Sequence, residues 1–115
     1  MQDLERFRDH VRGYDQEELF IYTKKLVGEE RAIAAKLFVL FSEIESRRLH
    51  LALGYSSMFE YLVKEHRFSE SEAYRRVSAL RLGREVPASL TMIENGSLTL
   101  TNACQLQTYF QAERK

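Results

Sequence analysis

The sequence predicts an all-α fold, a compact multi-helix domain built around one long central helix, with a helix-turn-helix-like pair of helices. Three observations lead to this prediction. Apolar residues recur three and four positions apart through most of the chain. Three segments carry an Asp or Ser followed three residues later by Glu, the spacing of a helix capping box. A single proline and five glycines leave long stretches free to form helices. The 115 residues suit one domain, predicted over residues 1–115.

The sequence of the first half of the chain predicts three helices. Residues 3–11 have the apolar spacing of a short amphipathic helix. Asp15 and Glu18 form a capping pair that opens a second helix, and Gly28 separates it from the central helix, predicted from residue 29 to about residue 51. The face of the central helix predicted to be buried consists of Ile33, Leu37, Leu40, Phe41, Ile44 and Leu51.

The second half predicts four shorter helices. Gly54 ends the central helix, and capped helices follow over residues 57–66 and 69–84. Pro87 suits the first turn of another short helix, which ends near the Asn95-Gly96 turn. Residues 97–101 predict an extended linker, and residues 101–112 a last helix.

Residues 57–84 have the layout of a helix-turn-helix. Ala73 is small enough to let the two helices approach, and Arg67 occupies the turn position where such motifs usually need a left-handed residue. Arginine and lysine bind phosphates and base edges, and short hydroxyl side chains add hydrogen bonds. The segment therefore predicts a DNA-binding site formed by Lys64, Arg67, Ser71, Arg75, Arg76 and Ser78.

The same segment also fits an ordinary αα-hairpin whose arginines form a solvated face. Glu70 and Glu72 lie in the first turn of the second helix, where they favour the helix dipole but repel phosphate. Arg81 and Arg84 continue the inward face, so we expect them to bridge to carboxylates and not to read a groove. The candidate carboxylates are Glu43, Glu45 and Glu94.

Charge and composition exclude several classes of function. Lys+Arg and Asp+Glu number 17 each, so the chain is not uniformly basic, but residues 46–86 hold eight basic and five acidic side chains. The histidines have no metal-ligand spacing, and the lone Cys104 suits a small apolar role in a reducing compartment. The sequence therefore predicts no enzyme and no cofactor. Residues 32–41 are too short an apolar run to span a bilayer, and residues 1–12 lack a signal-peptide core, so we expect a cytoplasmic protein.

One long stretch carries a resemblance. Residues 47–87 read RRLHLALGYSSMFEYLVKEHRFSESEAYRRVSALRLGREVP, with EERAIAAKLFVLFSEIE before them and IENGSLTLTNACQL after them. Over about residues 19–106 the chain resembles the helical N-terminal region of bacterial HNH endonuclease-like proteins, most specifically in GYSSMFEY and SEAYRR. The resemblance implies DNA association or the positioning of a nuclease. The His-Asn-His motif itself is absent, so cleavage is not implied, and the chain would be a stand-alone relative or an excised domain.

Two functions are therefore predicted. The first is a DNA-binding module, a small regulator or targeting domain, with double-stranded DNA as its partner. The alternative is a protein-interaction or dimerisation module that binds no nucleic acid. In that case an exposed apolar face, drawn from Leu82, Phe110 and Leu4, would dock a second copy or another protein.

Overall fold

A computed structural model of the chain describes residues 2–113, and over that range the backbone forms seven helices and no strand. The all-α class predicted from the sequence is confirmed. The helices are α1 (Gln2–Val11), α2 (Gln16–Ser46), α3 (Leu49–Ala52), α4 (Met58–Lys64), α5 (Glu70–Glu85), α6 (Ala88–Glu94) and α7 (Leu100–Glu113).

Helix α2 runs without a break through Gly28, so the predicted boundary there is wrong. A glycine inside a helix costs only about 1 kcal/mol relative to alanine, and the helix formers on either side outweigh that cost. The helix ends at Ser46, earlier than predicted, because Arg48 adopts a left-handed conformation with φ of 56°. The chain then turns into α3.

The face of α2 that meets the rest of the fold matches the predicted one only in part: Phe41 is buried and Leu37 and Ile44 pack against the core, as predicted. Ala35, Phe38 and Phe41 are its buried residues. Ile33 and Leu40, both predicted to be buried, are 59% and 58% exposed, and Leu51 on α3 is 47% exposed. The helix is apolar around more than half of its circumference, so periodicity alone could not identify the face that the other helices cover.

The element enclosed on most sides is α5, which packs against α2, α4, α6 and α7. Small residues make this possible: Ala73 and Ala79 are fully buried on α5, and Ala103 is fully buried on α7. A Cβ at Gly83 would lie 2.9 Å from the Leu90 side chain, so α6 approaches α5 more closely than a larger residue would allow. These contacts form a body composed of α3–α7 and the C-terminal half of α2.

The N-terminal half of α2 extends away from this body. No residue of α2 before Ala35 is buried. The Tyr22 ring of α2 meets Phe7 of α1 at 5.9 Å and Tyr14, in the turn between the two helices, at 5.8 Å. The radius of gyration is 17.3 Å, against about 13 Å for a compact domain of this length. We call α1 and residues 16–29 of α2 the arm.

Candidate functional site

The α4–α5 corner forms much as the sequence predicts. Ser69 caps α5: its hydroxyl accepts from the Glu72 backbone N–H at 3.2 Å, and its own N–H donates to the Glu72 carboxylate at 3.1 Å. The hydrogen bond from the Ser69 backbone N–H is the main reason that the pKa of Glu72 is lowered, and the hydrogen bond with the Ser69 side chain is the second. Arg67 is left-handed, with φ of 60°, in the turn position where it was predicted. The two helices therefore meet in a sharp, capped turn.

Two of the predicted DNA-binding cations are neutralised by nearby acids. The Lys64 ammonium lies 3.6 Å from the Glu60 carboxylate, although the lysine remains exposed. The Arg76 guanidinium stacks 4.5 Å from the centre of the Phe68 ring and lies 4.0 Å from the Glu72 carboxylate, with its side chain only 21% exposed. Arg76 is therefore held against the protein and does not project toward a ligand.

Ser78 is a correction to the predicted site. It is buried, with 8% of its surface exposed, and it lines a cleft together with Gln107 and Thr108 of α7. Because α7 packs along this side of α5, a DNA groove cannot reach the Ser78 hydroxyl. A helical wheel of α5 alone could not show that Ser78 is covered, because the covering helix, α7, comes from a later part of the sequence.

The remaining predicted residues stay accessible. Arg67 and Ser71 are exposed, and Arg75, one turn after Ser71, is half-buried. Within residues 2–113, neither Arg67 nor Arg75 has a carboxylate within 4 Å. The corner thus retains two unpaired guanidinium groups, but Glu65 and Glu70 are exposed beside them.

Arg81 and Arg84 bridge to a carboxylate, as predicted. Both contact Glu45 on α2, at 3.4 and 2.7 Å, and Arg84 also donates to the hydroxyl and carbonyl oxygens of Ser42. Glu45 is mostly shielded from solvent, so this pair of contacts ties α5 to α2. Several of the basic side chains of residues 46–86 therefore form ion pairs within the fold: Arg76, Arg81 and Arg84.

The three apolar residues predicted to form a docking face differ in how far they are exposed to solvent. Leu82 is 1% exposed inside the body, so the prediction that it docks a partner is wrong. Phe110 packs against the core, whereas Leu4, on the arm, is 68% exposed. Leu82 is enclosed because α5 contacts neighbouring helices on almost every side.

An exposed apolar feature of α2 was not predicted. Leucine and isoleucine side chains recur every seven residues along α2, with exposures between 39% and 59%. We call this set the apolar stripe: Leu19, Leu26, Ile33 and Leu40. The seven-residue spacing was present in the sequence, and it places the four side chains along one side of the helix.

Among the described residues, no three His, Cys, Asp or Glu side chains gather in a way that could hold a metal ion. No helix within residues 2–113 combines the length and apolar character needed to cross a bilayer. Searches against protein families, curated proteins and solved structures found no match. The resemblance to HNH endonuclease-like proteins therefore stays a prediction.

Proposed function

We propose that this chain is a non-enzymatic, cytoplasmic protein-association module that binds other protein through the apolar stripe of α2. The carrying observation is the exposure of that stripe, whose central residues Ile33 and Leu40 are 59% and 58% exposed. Phe20 and Val27, 67% and 41% exposed, widen it toward the side on which Phe38 lies.

The size of this surface favours a binding role. The six side chains together present on the order of 500 Å² of apolar surface, near the upper end of the largest patch on a typical monomer. Water contact with such a surface is unfavourable, and covering it with apolar atoms recovers roughly 25 cal/mol per Å². By comparison, the corner between α4 and α5 has two arginines without an ion pair, Arg67 and Arg75, and two exposed acids beside them, Glu65 and Glu70. It therefore offers a polyanion no local excess of positive charge.

Photo-crosslinking in cells that produce the chain tests this proposal. A photoreactive residue replacing Ile33 is expected to give discrete protein adducts, because the partner lies directly against the stripe. The matched control replaces Val39, which is 56% exposed on the opposite side of α2. Adducts of equal yield at both positions, or none at Ile33, would contradict the proposal.

A second candidate function is DNA association at the α4–α5 corner. One observation favours it: Arg67 and Arg75 have no ion-pair partner among residues 2–113, and Ser71 is exposed between them. The resemblance to the N-terminal region of HNH endonuclease-like proteins is consistent with it. Phosphate contacts by these two side chains would anchor the corner on a duplex without placing α5 in the groove.

For this candidate, Arg67→Ala combined with Arg75→Ala is expected to weaken binding to duplex DNA about tenfold and to reduce the salt-dependence slope by about two, since each phosphate contact contributes about 0.9. Affinity is measured by fluorescence anisotropy over a salt series. Lys24→Ala with Lys25→Ala removes the same charge from the arm and is the control. Equal losses in both variants would indicate non-specific charge attraction and would remove the corner as a site.

A further inference from the structure

We infer that the partner of the apolar stripe is a second copy of this chain, bound with the two α2 helices antiparallel across a two-fold axis near Ile33. The inference rests on the proposed function and names its partner. It is carried by the order of charges beside the stripe and by the area that the stripe offers.

The stripe follows one side of α2. With Phe38 placed at 0° on a helical wheel, the four stripe residues lie between about −100° and −160°, drifting by about 20° per heptad. Val39 falls near +100°, on the other side of the helix. Five charged residues of α2 lie along the far edge of the stripe, between about 140° and 180°: Glu18, Lys25, Glu29, Lys36 and Glu43. The side chains of Glu18, Lys25 and Glu43 have partners within the chain.

Glu29 and Lys36 are both exposed, and neither side chain makes a hydrogen bond or ion pair with another residue in the described range 2–113. They cannot pair with each other, because seven residues of helix separate them by about 10.5 Å. Both charges therefore remain available to a partner at the edge of the stripe.

An antiparallel second copy satisfies both charges at once. A two-fold axis near Ile33 brings Glu29 of each copy beside Lys36 of the other, so the pair forms twice. The same axis brings Leu26 beside the other copy's Leu40, and Ile33 beside its counterpart. A parallel pair would separate the two residues, because each edge of the stripe then faces the opposite edge of the partner helix, and Glu29 and Lys36 lie on the same edge.

The stripe supplies the apolar centre of an interface between two copies. The four stripe residues supply on the order of 350 Å² of apolar surface per copy, and the charged edge adds polar surface to it. A standard protein interface takes about 800 Å² from each partner, with an apolar centre and a polar rim. The exposed surface of the arm and the middle of α2 matches that anatomy.

Sedimentation velocity of the purified chain tests the inference over about 1 to 100 µM protein. We expect a species of twice 13.5 kDa that dissociates on dilution. Ile33→Glu is expected to raise the dissociation constant at least about 30-fold, the effect of removing a central contact. Leu53→Glu, the matched control, adds the same charge at a residue that is 61% exposed outside the stripe and should leave the dimer intact.

A charge exchange tests the orientation. Glu29→Lys alone and Lys36→Glu alone should each weaken the dimer, because each puts like charges together, whereas the double variant should restore it. A dimer that Ile33→Glu does not weaken, or whose double variant is no tighter than the singles, would overturn the inference.

The outcomes separate this inference from the proposed function. A monomer at every concentration overturns the second-copy inference. If the photoreactive probe at Ile33 still gives discrete adducts with another protein, the association function stands without it. If the chain is monomeric and the probe gives no adducts, both proposals fall.

Discussion

Phe38→Ala is expected to lower the free energy of unfolding by about 3–5 kcal/mol and the melting temperature by roughly 10–25 °C. Phe38 is 1% exposed and is among the largest fully buried side chains of the core. Removing the ring takes away apolar contact and leaves a cavity that the surrounding helices can close only in part. Urea unfolding followed by circular dichroism measures the change.

Val39→Ala is the matched control, because it truncates the next residue of the same helix where the side chain is 56% exposed. It lies opposite the apolar stripe, so dimer formation does not affect the comparison. We expect a change within about 0.5 kcal/mol. If the two substitutions cost the same, the description of which side of α2 faces the body is wrong.

Leu82→Glu is expected to prevent folding at neutral pH. The side chain is 1% exposed on α5, within a core where a carboxylate would have no cationic partner, so the cost is at least several kcal/mol. A domain of this size typically has about 5–15 kcal/mol to lose. Far-ultraviolet circular dichroism should show most of the helical signal lost, whereas Leu53→Glu, at a residue that is 61% exposed, should retain it.

A pH series gives a second measurement on the same variant. Burial raises the pKa of the introduced carboxyl, so the folded chain binds its proton more tightly than the unfolded chain does. The deficit in stability relative to the parent protein should therefore shrink as pH falls. A deficit that does not depend on pH would mean that the carboxyl reaches solvent and that Leu82 is not enclosed as described.

The sequence predicted the local elements well. Asp15 and Ser69 cap their helices with the reciprocal Glu contacts expected from their spacing. Ser57 also caps α4, although the Glu60 carboxylate accepts from the Ser56 hydroxyl and does not return to the Ser57 backbone. Arg67 lies at the predicted turn position and has a left-handed backbone there, which costs a residue other than glycine about 1 kcal/mol. These features form between residues a few positions apart, so the sequence contains both partners.

The candidate site was harder to predict. Arg75 and Ser78 lie on one side of a wheel drawn for α5, yet the first is half-buried and the second is covered by α7. Arg76 belongs to the predicted basic surface by sequence, but the ring of Phe68 and the carboxylate of Glu72 hold it against the fold. A wheel shows which residues share a face and does not show which neighbour covers that face.

By itself, the sequence determined that this chain is helical, where its capped turns lie, and that it lacks the residue spacings of a metal or nucleophile site. Tertiary structure alone decided which side of α2 is buried, that Leu82 is core, and that Arg84 pairs with Glu45, 39 residues away. The physical reason is range: a cap or turn is satisfied within one helical turn. Burial and charge pairing depend on which helix from elsewhere in the sequence packs against a given side. Because α2 has apolar residues on several sides, its sequence alone does not show which side is buried.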